Sequence, residues 1–211
     1  MLPGAPTSFA LPQQTYAAYI FDCDGTLADT MPLHHRAWER ALRDHGAAFR
    51  FSWELFVSRA GMTLEQTVVE LARQFDVALD PQAIALAQRR HFELLEPEMQ
   101  PVADVVHFAR SVARTHPVSV ASGSLRATVD RTLARLGLLD LFPVVVTPED
   151  VERGKPEPDM FLRAAELMGV SPQRCLVFED GEMGIEAARR AGMDVVRVTT
   201  PLPADRLPEL A

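Results

Sequence analysis

From Pro101 onward the chain repeats one pattern, an amphipathic stretch of period 3.6 followed by a short run rich in β-branched residues. The spacing predicts a helix ending near residue 114, further helices over 124–136, 158–168 and 182–191, and strands over 117–121, 143–147, 174–178 and 194–198. Regular alternation of this kind predicts an α/β fold, a doubly wound parallel sheet with helices on both faces. An earlier strand, ending in Tyr19-Ile20-Phe21, joins the same sheet.

Between that strand and Pro101 the sequence carries only helical periods. Leu33, Ala37, Trp38, Ala41 and Leu42 form one apolar stripe, with Gly46 as its terminator. Thr63-Leu64-Glu65-Gln66 reads as a capping box opening a helix through Phe75, and Asp80-Pro81 opens another reaching about Glu96. The expected organisation is a discontinuous α/β core of residues 1–30 and 99–211, with a small helical domain, 31–98, inserted after the first strand. Residues 1–14 contain three prolines and a glycine and show no period, so they read as an irregular, mobile lead-in.

The chemistry gathers at strand ends. Asp22 and Asp24 lie one residue apart at the close of the first strand, so alternation turns both to one side. Gly25 can turn the chain at once, leaving the acids at the carboxyl edge of the sheet, where open α/β folds hold ligands. Downstream, Val118-Ser119-Val120-Ala121 runs into Ser122-Gly123-Ser124. The Ser122 hydroxyl and the N–H groups of the helix start are a candidate phosphate cradle, and Ser124 reads as a helix N-cap with a possible substrate contact. Lys155 is pinned between Gly154 and Pro156. Glu179-Asp180 closes a third apolar strand, and hard carboxylate oxygens of this type suit magnesium.

Composition narrows the classes. With 47% hydrophobic residues among 211, the chain can bury a sound core, and a formal charge of −8 argues against nucleic acid or an anionic membrane as partner. No apolar run approaches the roughly 20 residues of a membrane helix, and no signal-peptide pattern opens the chain, so it reads as cytoplasmic. Cys23 and Cys175 lack metal-ligand spacing and read as small buried hydrophobes. Alternation turns Cys23 away from the face shared by Asp22 and Asp24.

In this order, Asp22-Cys23-Asp24-Gly25-Thr26, Ser122, Lys155 and Glu179-Asp180 resemble the four motifs of the haloacid dehalogenase-like (HAD) hydrolase superfamily. The likeness runs from about Tyr16 to Thr200. Asp29-Thr30, His34, Trp38, Gly61, Lys155-Pro156-Glu157-Pro158-Asp159 and Gly184-Ile185 are similar to the β-phosphoglucomutase-like subgroup, particularly its fructose-1-phosphatase-type members.

The resemblance implies a HAD-like Rossmannoid core, a helical cap that closes over the active site, and phosphoryl transfer through an aspartyl phosphate. Asp22 would be the nucleophile and Asp24 the general acid and base. Magnesium would be held by Asp22, the Asp24 backbone carbonyl and Asp180, with Glu179 acting through bound water or directly. Lys155 and Ser122 would hold the phosphoryl oxygens. Gly25, Thr26, His34, Gly61, Ser124 and Arg126 are the candidate substrate contacts, with Arg59, Arg89 and Arg90 as further cations for the distal end. The implied partner is a small phosphorylated metabolite, and a monomer is the default.

A phosphomutase would share this catalytic set. Mutases of the subgroup place basic residues where this chain has Leu64 and Leu125, so a phosphatase is favoured, with Arg126 a partial compensation. A dehalogenase would need neither Asp24 nor the Glu179-Asp180 pair. A non-enzymatic binding protein would be expected to lack part of the set.

Overall fold

A computed structural model describes residues 9–59 and 62–199. Those up to Asp29 and from Gln100 onward form one compact unit, and Thr30–Met99 forms a second. The first unit is α/β, and the second is helical throughout its described residues.

Five short apolar runs build the sheet: β1 (Ala18–Phe21), β2 (Val118–Ala121), β3 (Val144–Val146), β4 (Cys175–Glu179) and β5 (Asp194–Arg197). All pairings are parallel, in the order β3-β2-β1-β4-β5. Every residue of β2 and β4 is buried, as expected of strands covered on both faces. Alternation sorts the side chains. Phe21 of β1 and Leu176 and Phe178 of β4 enter one core with α5 (Ala103–Val112) and α6 (Arg126–Arg135). Ala18 and Ile20, with Cys175 and Val177, enter the other with α7 (Asp159–Met168) and α8 (Glu182–Arg190). Chain order reverses between β1 and β4, which makes that junction the switch point where ligands collect in open sheets.

Residues 1–8 of the lead-in lie outside the described residues, and the part from Phe9 onward is anchored. Phe9 packs edge-on against Phe178 and Phe108, with ring centroids 5.1 and 5.7 Å away, so an aromatic anchor holds irregular chain on the first core.

The helical unit contains α1 (Met31–Asp44), α2 (Trp53–Val57), α3 (Leu64–Phe75) and α4 (Pro81–Leu95). The whole apolar stripe of α1 is buried, and Gly46, at φ +78°, lies just beyond the helix end. Both legs of the capping box form, Gln66 N–H donating to Thr63 Oγ1 (3.1 Å) and Thr63 N–H to Gln66 Oε1 (3.0 Å). Asp80 accepts from the N–H groups of Gln82 and Ala83 at the start of α4. Helix α2, capped by Ser52, was not expected, because five residues are too few to display a period. Among the described residues no helix is long and apolar enough to cross a membrane.

Candidate active site

Asp22 follows β1 directly and stays tied to the neighbouring strand, its N–H donating to the Phe178 carbonyl at 2.9 Å. The chain then turns on itself. The Cys23 carbonyl accepts from Leu27 and Ala28, and Gly25 N–H donates to the Ala28 carbonyl at 2.7 Å. Gly25 adopts φ +85°, and a Cβ there would overlap the Asp180 carboxylate, so two requirements select glycine. Cys23 is fully buried in the first core, away from the acids, as alternation predicts.

Lys155 Nζ donates to Asp22 Oδ1 (2.7 Å) and to Glu179 Oε2 (2.8 Å). It also lies 5.2 Å from the centre of the Phe161 ring. Glu179 Oε1 accepts from Gly181 N–H at 3.1 Å, and Thr26 Oγ1 is 3.4 Å from Asp180 Oδ1. Asp22, Glu179 and Asp180 each bring a carboxylate oxygen within 4.8 Å of the others.

Two of these acids are nearly sealed from water, Asp22 being 5% exposed and Glu179 4%, and Asp180 is half-buried. Burial, reinforced by the charge of Glu179 and opposed by Lys155, pushes Asp22 up to about 8. Burial, followed by the charge of Asp22, raises Asp180 to about 7, and burial also raises Glu179. Burial alone would lower Lys155, but Asp22 and Glu179 together hold it above the ordinary lysine value. Three clustered carboxylates, two of them paired with one ammonium, leave negative charge unbalanced in a largely buried site. A hard divalent cation suits both that charge and the all-oxygen donor set.

Asp24 faces another partner. Its Oδ2 accepts from the Ser124 hydroxyl at 2.7 Å, and Ser124 N–H donates to Ser122 Oγ at 3.1 Å. Ser124 therefore does not cap a helix. Helix α6 begins two residues later, at Arg126, whose N–H goes to Glu149 Oε2 at 2.6 Å. A resident carboxylate thus caps the helix start that the sequence offered to a phosphate. The Arg126 guanidinium donates to the Val145 carbonyl (2.8 Å) and pairs with Asp150, so it is held within the sheet edge. Leu125, between them, is 63% exposed.

The remaining candidates lie in the helical unit. His34 stacks on Phe92, with ring centres 3.9 Å apart, and its Nδ1 is 3.2 Å from Gln88 Nε2. Trp38 is a core residue there. Arg59 binds the Leu55 carbonyl and Gln74, and Arg89 pairs with Glu65. Gly61 lies outside the described residues. Sequence reasoning overlooked Phe161 beside Lys155 and read Gly184 only as part of the subgroup likeness, not as a neighbour of Glu179, although a glycine in the first turn of α8 departs from helix propensity and could have flagged that contact.

Residues 16–192 match the family described as haloacid dehalogenase-like hydrolase. The chain belongs to this family. Within it, the HAD protein is 40% identical over 191 residues to the fructose-1-phosphate phosphatase YqaB of Escherichia coli K12, covering 88% of this chain and 97% of the relative. It is 28% identical over 188 residues to the β-phosphoglucomutase of Bacillus subtilis, covering 86% and 82%. The solved structure of CbbY from Rhodobacter sphaeroides in complex with phosphate superposes with a TM-score of 0.72 at 25% identity, over 86% of this chain and 85% of that one. The protein is a HAD phosphatase of the β-phosphoglucomutase-like subgroup.

Proposed function

We propose that the protein hydrolyses a small sugar monophosphate with magnesium, a hexose 1-phosphate such as fructose 1-phosphate or a related sugar-acid phosphate, through an aspartyl phosphate on Asp22. The observation that carries this reading is the contact of Asp22 with Lys155 beside Glu179 and Asp180, in a chain 40% identical to a fructose-1-phosphate phosphatase.

In the first half-reaction an Asp22 carboxylate oxygen attacks phosphorus, and the bond from phosphorus to the sugar oxygen breaks. Asp24 gives a proton to that oxygen, and the sugar leaves. In the second, Asp24 takes a proton from water, the water oxygen attacks phosphorus, and the acyl phosphate bond breaks, freeing phosphate and restoring Asp22. Lys155 supports the nucleophile in its ionised form and, with Ser122 and the Gly25 N–H region, holds the phosphoryl oxygens. Asp22, Asp180 and the Asp24 carbonyl would hold magnesium, with Glu179 acting through water, and the ion would supply positive charge against the phosphate and the acids. The helical unit is the cap, and its side chains select the sugar.

Hydrolysis is favoured over mutase chemistry because Leu125 is apolar and Arg126 is committed to Asp150 and the Val145 carbonyl, leaving less charge for a second phosphate. The test is a panel of sugar and sugar-acid phosphates with magnesium, read as released phosphate. The panel includes β-glucose 1-phosphate with its bisphosphate activator. Phosphate release supports the reading, and fast glucose 6-phosphate formation with little free phosphate overturns it.

A further inference from the structure

We propose that Ser124 is a positioning residue that holds the Asp24 carboxylate for proton transfer, rather than a contact for the substrate. The inference rests on the phosphatase reading above. Asp24 stands past the end of β1, on the turn made by Gly25, with its backbone in an isolated bridge to Ala28. A carboxylate there has two rotatable bonds to settle, and a general acid that also serves as base needs the same aim in both half-reactions.

A chain of hydrogen bonds supplies that aim. Ser122 N–H donates to the Val146 carbonyl at 3.0 Å, continuing the pairing of β2 with β3. The Ser122 hydroxyl, 1% exposed, accepts from Ser124 N–H at 3.1 Å and tightens the turn between strand and helix. Ser124 then reaches across about a hundred residues of sequence, its hydroxyl donating to Asp24 Oδ2 at 2.7 Å. The link between strand and carboxylate is short and made of one-torsion side chains, so little freedom remains at its end. Glu149 meets the first N–H of α6, so that donor makes no demand on the Ser124 hydroxyl.

Because the proposed phosphate contacts, Lys155 and Ser122, do not pass through Ser124, its loss should slow the chemistry and spare binding. The experiment compares wild type, Ser124→Ala, Ser124→Thr, and both Asp24→Asn and Asp24→Asn/Ser124→Ala, for kcat and KM on the best substrate of the panel. Crystals of the wild type and Ser124→Ala proteins give the rotamer of Asp24. Expected are a fall in kcat of about 10- to 100-fold in Ser124→Ala with KM within about twofold, recovery of most of kcat in Ser124→Thr, and no further loss in the Asp24→Asn background. The Asp24 carboxylate should turn away from its wild-type position in the Ser124→Ala crystal. A raised KM with kcat unchanged would make Ser124 a substrate contact and overturn the proposal, as would unchanged kinetics or an unmoved Asp24. A wild type silent toward every phosphomonoester would instead refute the phosphatase reading, and the crystal comparison would still decide for or against Ser124.

Discussion

Gly184 lies so close to Glu179 that a methyl group on its Cα would overlap the carboxylate. The glycine is in the first turn of α8, five residues past the acid it confines. Glu179 is thereby closed in by the bare backbone of Gly184, the N–H of Gly181 and the Lys155 ammonium. Gly184→Ala should push the carboxylate off Lys155 and lower magnesium affinity about 10- to 100-fold, the usual scale for disturbing residues around a metal site. Titration calorimetry with magnesium checks this, and unchanged affinity would argue against Glu179 serving the ion.

Asp22→Asn keeps the volume and removes the proposed nucleophile. Turnover should fall by about three orders of magnitude or more. Lys155 retains Glu179 as its partner, and a crowded buried carboxylate is gone, so the melting temperature at pH 8 should be no lower than that of the wild type. Retained activity would sink the covalent route.

The acids also dictate how stability follows pH. Asp22 at about 8 and Asp180 at about 7 both lie above the ordinary aspartate value of 3.8, so the folded protein binds more protons than the unfolded chain between roughly pH 4 and 8. Their stabilising contribution is complete below that window and is lost as pH rises through it. Lys155, held above its ordinary value, keeps its proton throughout. In chelator, melting temperature should therefore decline from pH 6 to 8, and the gain on adding magnesium should be larger at pH 8, because binding needs ionised carboxylates. Thermal melts at both pH values with chelator or magnesium measure this, and a smaller gain at pH 8 would contradict it.

Glu149 caps α6 from outside the helix, accepting from Arg126 N–H at 2.6 Å. Glu149→Ala removes both that acceptor and a negative charge at the positive end of the helix dipole. The expected cost is about 0.5–2 kcal/mol, read from urea unfolding. A variant as stable as the wild type would show that water serves the helix start equally well.

Much of this was legible in the sequence, for definite reasons. The periods of 2 and 3.6 separate strands from helices wherever a segment is long enough to complete a repeat, which is why β1 to β5 were found and the five-residue α2 was not. Asp22 and Glu179-Asp180 declared themselves by closing apolar strands, and a parallel sheet brings such ends to one edge. The contacts of Ser124, Arg126 and Gly184 with Asp24, Asp150 and Glu179 were not legible, because they are decided by packing. Local rules read Ser124 as a cap and Arg126 as an available cation. The positions of neighbouring turns made them a carboxylate's partner and a sheet-edge brace.

Where the first unit hands the chain to the helical one, the two crossing strands are zipped together. Asp29 N–H donates to the Gln100 carbonyl at 2.9 Å, Val102 N–H donates to the Leu27 carbonyl at 2.9 Å, and Ala28 and Pro101 form an antiparallel bridge. The seventy residues from Thr30 to Met99 thus leave and return through a gap that one hydrogen bond spans. An insertion with such a narrow neck is a cassette. It can be lengthened or replaced without moving a strand, and under the proposed function such a change would alter which sugar is accepted while the acids at the strand ends stay in place.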